Sequence, residues 1–318
     1  MRATSRCLWR VLLLGAAVGV AGAEGGTAFV TNTHDGTLSV IDTATRAVTA
    51  TLQVGPMANR LTLTPDGTRL FIVQDTRPDL RIVDVGKRRV VGKVPGGRDP
   101  YNLAFSPDGR LAYIVNKYSD KLLVLDVAAR RLVDAIRGEG NEPVNVLLVN
   151  GGTVAYVANE LSGDIAVIDL EARKVLKMLP SGRFTEGLAL SPDGKTAYVA
   201  NGEDHSISVV QTATHEIVQT LRTGTEIHDV RVTPDGRHLF GTAAHINQVF
   251  VYALPDGTQA ARIPQARRPD LVWFTPDGSE AWVTNRHAAS VSVIDVKTLE
   301  NVAVIPVGQN PHGIVIVP

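Results

Sequence analysis

The chain has 318 residues, 44% of them apolar and only 5% aromatic, with 29 glycines, 17 prolines and a single cysteine. This is the usage of a turn-rich, β-branched globular protein long enough to bury a sizeable core. Basic and acidic residues balance at 32 each, so no basic field for nucleic acid is expected, and after the N-terminus no stretch is apolar for long enough to span a bilayer.

At the N-terminus Arg2, Arg6 and Arg10 precede the apolar run Val11 to Val20, and Ala21-Gly22-Ala23 offers small residues for cleavage. Residues 1–23 are therefore expected to be a signal peptide, removed after Ala23, and the protein is expected to be exported to the periplasm or beyond. Its removal takes three arginines and no acid, leaving 29 basic against 32 acidic residues, and it takes Cys7. A mature chain without thiol excludes disulfides, thiolate metal sites, covalent c-type haem and cysteine nucleophiles.

From residue 24 to residue 318 one unit repeats seven times, its turn residues falling at Gly26, Gly67, Gly109, Gly152, Gly194, Gly236 and Gly278, 41 to 43 residues apart. Each unit predicts four strands. An apolar stretch such as Leu103 to Ser106 ends in a turn, and a second strand such as Phe29-Val30-Thr31-Asn32 or Tyr198-Val199-Ala200-Asn201 follows. A third strand such as Val40-Ile41-Asp42 and a last one such as Asn301 to Ile305 complete the unit. In Pro65-Asp66-Gly67 and its relatives proline fixes φ and glycine supplies a positive φ, the chemistry of a tight turn. Asn150-Gly151-Gly152 makes the same turn without proline. A period near 42 with several strands per unit predicts a single all-β domain, a seven-bladed β-propeller with four-stranded blades. The unit is out of phase with the termini: the mature chain starts on a second strand, Thr27 to Thr31, and ends on a first strand, Gly313 to Val317. The ring is expected to close by the C-terminal strand pairing with the N-terminal three, which hides both sheet edges.

The Tyr-Val-Thr-Asn-like strands resemble the YVTN family of seven-bladed propellers, akin to the haem d1 propeller of cytochrome cd1 nitrite reductase, over essentially the whole mature chain. The resemblance implies export and architecture. It leaves function open among surface proteins, accessory proteins and tetrapyrrole-handling proteins, so chemistry has to come from residues that break the repeat.

Alternating strand direction places six of the eight histidines, His34, His205, His228, His245, His287 and His312, on one face. Counting back from the turns gives one equivalent position at the channel mouth of every blade: Asn59, Tyr101, Val144, Glu186, His228, Asp270 and His312. A second, two residues beyond the residue that closes each second strand, reads His34, Thr76, Tyr118, Leu161, Glu203, His245 and His287. Imidazoles and carboxylates thus concentrate in four adjacent blades. Glu186, His228, Asp270 and His312, with His34, His245 and His287 outside them, are candidate ligands for a divalent transition metal such as zinc or copper. The same cluster could serve as general acid and base in a lactonase-like hydrolase, or as a tetrapyrrole surface. Arg60, Arg98, Arg183, Arg267, Arg268 and Arg286 on that face could hold an anion. The expected function is an exported binding or accessory protein that takes a protein partner or small ligand on the histidine-rich face, an enzyme being the alternative. Both His228 and His312 are expected on a solvated rim, where their joint replacement by alanine leaves the fold intact. The recurring Asp42, Asp84, Asp126, Asp169 and Asp295, and the strand-closing asparagines, read as structural caps.

Overall fold

A computed structural model describes residues 25–318 apart from residue 76; the expected signal peptide lies outside them. Twenty-eight strands, β1 to β28 in chain order, form seven antiparallel sheets of four. One sheet joins the two ends in the order β28 (Pro311–Val317), β1 (Thr27–Asn32), β2 (Thr37–Asp42) and β3 (Ala47–Gln53). Ala28 pairs with Ile316 and Val30 with Ile314, so the ring closes as expected and leaves neither terminus as an open edge.

The other sheets follow the chain, and each begins on an inner strand: β4 (Ala58–Leu63), β8 (Pro100–Phe105), β12 (Pro143–Val149), β16 (Thr185–Leu190), β20 (Asp229–Val232) and β24 (Pro269–Phe274). With β28, these line a central channel. Second and third strands are buried on both faces against neighbouring blades, which is why they read as continuous apolar runs rather than alternating ones. Fourth strands are largely exposed. Edge-on aromatic pairs such as Phe71–Phe105 and Phe240–Phe274 lock adjacent blades together, with centroids 5.0 and 5.1 Å apart.

The local motifs behave as the residues require. In the Pro-Asp-Gly turns a Thr or Ser hydroxyl donates to the aspartate, as Thr64 does to Asp66 at 2.6 Å, and Gly67 takes φ +71°. The strand-ending aspartates accept from the backbone three residues on, as Asp42 does from Thr45 N–H at 2.7 Å and Asp295 from Thr298 N–H at 2.7 Å. Asn32, Asn201 and Asn285 each donate to serines of the next strand at 2.9 Å. Among the described residues no helix is long and apolar enough to cross a membrane.

Candidate functional site: a buried charged ring at the channel mouth

The mouth positions owe their aim to a repeated defect. Where inner strands meet second strands, the pairing register slips between Ala58 and Leu61, Pro100 and Asn102, Pro143 and Asn145, Thr185 and Leu188, and Pro269 and Val272. Such bulges free the skipped residues from the ladder and turn their side chains inward. The skipped residues include Asn59, Arg60, Tyr101, Val144, Glu186 and Asp270. In the sixth blade β20 starts only at Asp229, and His228 is held by its backbone N–H donating to Thr242 O at 2.8 Å. The threonine of the second strand fixes the next blade's mouth residue: Thr242 Oγ1 donates to Asp270 O at 2.6 Å and Thr284 Oγ1 to His312 O at 2.9 Å. In the fourth blade alanine stands in place of that threonine, at Ala158, and Asn145 donates to Glu186 O at 3.0 Å instead. Gly187 permits the crowding, since a Cβ there would lie 2.9 Å from His228 O.

The inward side chains make a nearly continuous circuit. Arg60 Nη2 reaches across the channel to Glu186 Oε1 at 3.1 Å, and Glu186 Oε2 lies 3.3 Å from His228 Nε2. The Nδ1 atom of His228 is 3.3 Å from Asp270 Oδ1, and Asp270 Oδ2 is 3.4 Å from His312 Nε2 and 3.6 Å from Arg286 Nε. Opposite, the Tyr101 ring lies 5.4 Å from both the Arg60 guanidinium and the Lys117 ammonium. Lys117 in turn pairs with Glu160 at 2.8 Å and Glu142 at 3.4 Å, and Asn59 donates to Asp75 at 2.7 Å.

Burial opposes charge on every member, and the neighbours decide which members keep it. Burial would raise the Glu186 carboxyl, but His228 and Arg60 outweigh it and hold it down to about 2. His228 would be lowered by burial, but Glu186 and Asp270 lift it to about 9. His312 is pushed well below the ordinary imidazole value by burial and by Arg60 and Arg286. The ring thus holds one imidazolium, His228, and one neutral imidazole, His312, on either side of Asp270.

These states give stability a defined pH dependence. The Glu186 contribution is complete above the ordinary carboxyl value of 4.5 and fades as pH falls towards about 2. The His228 contribution is complete below 6.5 and fades as pH rises through about 9. His312 has the opposite sense: kept neutral in the fold, it costs stability once pH falls below 6.5. The melting temperature is expected to peak near pH 6.5 and to decline on both sides, with His228→Gln removing the alkaline decline. A wild-type melting temperature that stays level from pH 6.5 to 9.5 contradicts the charged state of His228.

Two expectations need correction. The mouth is not a solvated rim: Glu186 is 4% exposed, Asp270 0% and His312 1%. Removing His228 and His312 together strips two partners from the buried Asp270 and one from Glu186, leaving Arg286 and Arg60 alone to balance them, so the fold is not expected to be spared. The described histidines and glutamate of the second set of equivalent positions, moreover, point outward. His34, Glu203, His245 and His287 are exposed, His245 pairing with Glu226 at 3.1 Å and Glu203 with Arg183 at 3.4 Å. The inward residue is the one before, which brings in Asp75, Lys117, Glu160 and Arg286, most of them overlooked in the sequence. These residues sit in the turns just past the second strands, where counting along the repeat gives the position of a side chain but not its direction. Of the six arginines, Arg60 and Arg286 join the ring, while Arg98 and Arg183 are exposed beside Asp99 and Asp204.

The donor set fits a run of ion pairs better than a transition-metal centre. Imidazoles and carboxylates face one another, and among the described residues no three His, Cys, Asp or Glu side chains are arranged around one ion. The ring nevertheless carries unmet hydrogen-bonding capacity: Asn59 Oδ1, Arg60 Nε, His228 Nδ1, both Asp270 carboxylate oxygens and His312 Nδ1 are buried without a hydrogen-bond partner in the protein.

The fold is shared with several solved structures. Hydrazine synthase of Kuenenia stuttgartiensis superposes with a TM-score of 0.75 at 18% identity, over 85% of this chain and 92% of that one. PpgL, the periplasmic gluconolactonase of Pseudomonas aeruginosa, gives 0.78 at 19% identity over 93% and 99%. The dihydro-haem d1 dehydrogenase NirN gives 0.70 at 16% over 91% and 74%. At such identities the likeness establishes the fold alone. No curated protein sequence matches the chain. A family model does, over residues 13–317, and with seven closed four-stranded blades in place the chain belongs to the YNCE-like β-propeller family.

Proposed function

We propose that the protein is an exported binding protein, working in the periplasm or outside the cell, whose ligand is a small polar molecule held at the charged mouth. The observation that carries this reading is the cluster of buried donors and acceptors on Asn59, Arg60, His228, Asp270 and His312 that form no hydrogen bond within the protein, the His228, Asp270 and His312 atoms facing one another only at 3.3–3.4 Å. Each such atom costs roughly 1–3 kcal/mol unless something hydrogen-bonds to it. Their mixture of cation and acceptor suits a hydroxylated acid, whose carboxylate meets Arg60 and His228 and whose hydroxyls meet Asp270. Export is supported by the basic and apolar leader and by the periplasmic setting named for PpgL.

Calorimetric titration with gluconate tests this. Binding is expected in the wild type and is expected to weaken about tenfold or more in Asp270→Asn, the worth of one lost charged hydrogen bond. Wild-type protein that takes up neither gluconate nor other hydroxy acids sinks the reading. Zinc or copper(II) uptake that disappears in His228→Gln would put a metal in its place. Intact mass of native protein, expected to start at Glu24 without Cys7, checks the export step.

A second reading draws on the split protonation of the two histidines. Cationic His228 can give a proton and neutral His312 can take one, the pairing a lactone hydrolase requires of its acid and base. Hydrolysis of glucono-1,5-lactone, followed by acid release and lost in His312→Gln, would favour that reading over binding alone.

A further inference from the structure

Below the mouth the channel widens into a chamber of about 320 Å³, at the small end of the range in which ligand cavities fall. Its walls alternate aliphatic inner-strand residues such as Leu147, Leu190 and Ile314 with the polar Thr62, Asn102 and Asn145. Three charged side chains face it, Arg60, Asp229 and Arg231. Arg60 is already engaged by Glu186 at the mouth. Asp229 accepts weakly from Val272 N–H at 3.4 Å, and burial raises its carboxyl above the ordinary aspartate value while Arg231 and Arg60 oppose the rise. Arg231 has no ion-pair partner among the described residues.

The placement of Arg231 is unusual. Its guanidinium carbon lies 3.8 Å from the centroid of the Trp273 ring, and its Nε–H is buried with no hydrogen-bond partner. Stacking uses the face of the guanidinium and leaves its in-plane N–H groups unspent, and those form the fork that matches a carboxylate. Arg231 and Trp273 keep partial exposure, as do Thr62 and Leu147 at the same depth, so solvent reaches this end of the channel.

We propose that this chamber is a second ligand site, separate from the mouth, for a small organic monocarboxylate whose charged head meets the edge of Arg231 and whose apolar body lies among the aliphatic walls. The size of the chamber, and the aliphatic residues between its polar ones, favour a short body that is apolar along its length. Asp229, facing the same space, disfavours a second negative charge. Asp229 faces Arg231 across the same space but makes no close ion pair with it, so the in-plane edge of Arg231 is left for the head group and sets its sign.

Hexanoate and hexanamide, matched in shape and different in charge, are the probes, titrated into the mature protein and followed by tryptophan fluorescence and calorimetry. Trp273 stacks on Arg231, whereas Trp282 is buried with its Nε1–H donating to Glu280 at 2.9 Å, so Trp273 carries the signal. Hexanoate is expected to saturate the change and hexanamide to give none at equal concentration. Arg231→Gln is expected to weaken hexanoate by about tenfold to a hundredfold, the range for a lost charge-assisted hydrogen bond. Asp229→Asn is expected to tighten it, because a like charge is removed. That gain does not come from a loosened structure and is measurable even if Arg231→Gln fails to fold. Equal binding of acid and amide, no binding of hexanoate, or weaker binding in Asp229→Asn overturns the proposal. Saturating gluconate should not displace hexanoate, which keeps a failure at the mouth distinct from a failure here.

Discussion

Glu186→Ala is expected to lower the melting temperature at pH 6.5 by roughly 10 °C, the counterpart of about 3–5 kcal/mol in a domain of this size. The loss exceeds that of an ordinary surface ion pair because the partners cannot escape to water. Arg60 and Asp270 are 7% and 0% exposed, and Glu186 is the residue through which Arg60 and His228 both neutralise their charge. Without it two cations face each other in a buried channel, and His228 is expected to release its proton, which shifts the alkaline decline of stability to lower pH. Glu186→Gln keeps the shape and one acceptor, so it should recover part of the loss without restoring the pH profile. Thermal denaturation of the three proteins between pH 5 and 9.5 reads both effects. An alanine variant within about 2 °C of the wild type at every pH would mean that the ring contributes as little as an exposed pair.

Deletion of residues 313–318 is expected to abolish cooperative unfolding. Those residues carry Ile314, Val315, Ile316 and Val317, at 0–5% exposure, and their pairing with β1 closes the ring. Burial of four such side chains is worth roughly 6–12 kcal/mol, comparable with the whole stability of a typical domain at about 5–15 kcal/mol. The truncated chain also bares the edge of β1 and the face of Leu61, which favours association between chains. Light scattering and calorimetry should show aggregates and no sharp transition. Adding a synthetic peptide of residues 308–318 should restore a cooperative transition in the fraction that stays soluble. A truncated protein that is monomeric and melts as the intact one does would contradict the closure.

Much of this molecule is legible in one dimension because its information is local and repeated. The Pro-Asp-Gly turns set hairpins by proline's fixed φ and glycine's positive φ, the aspartates at strand ends cap their own turns, and second strands buried on both faces must be apolar throughout. A period near 42 then allows only a ring, and the phase of the termini dictates which strand closes it. The equivalent positions Glu186, His228, Asp270 and His312 were also readable, since repeat register alone puts them at one rim.

What repeat register cannot convey is direction and depth. His34, His245 and His287 lie a single residue from positions that point inward, in turns just past the second strands where the local backbone path, not the repeat, decides between channel and solvent. The bulges that turn Glu186 and Asp270 into the channel arise from pairing with the second strand, and Arg60 meets Glu186 only because the ring brings β4 opposite β16. Asp229 and Arg231 stand in an inner strand that reads as an ordinary apolar run with two charges. Only the closed ring makes that strand the wall of a chamber, because burial there is a property of seven blades together and of none of them alone.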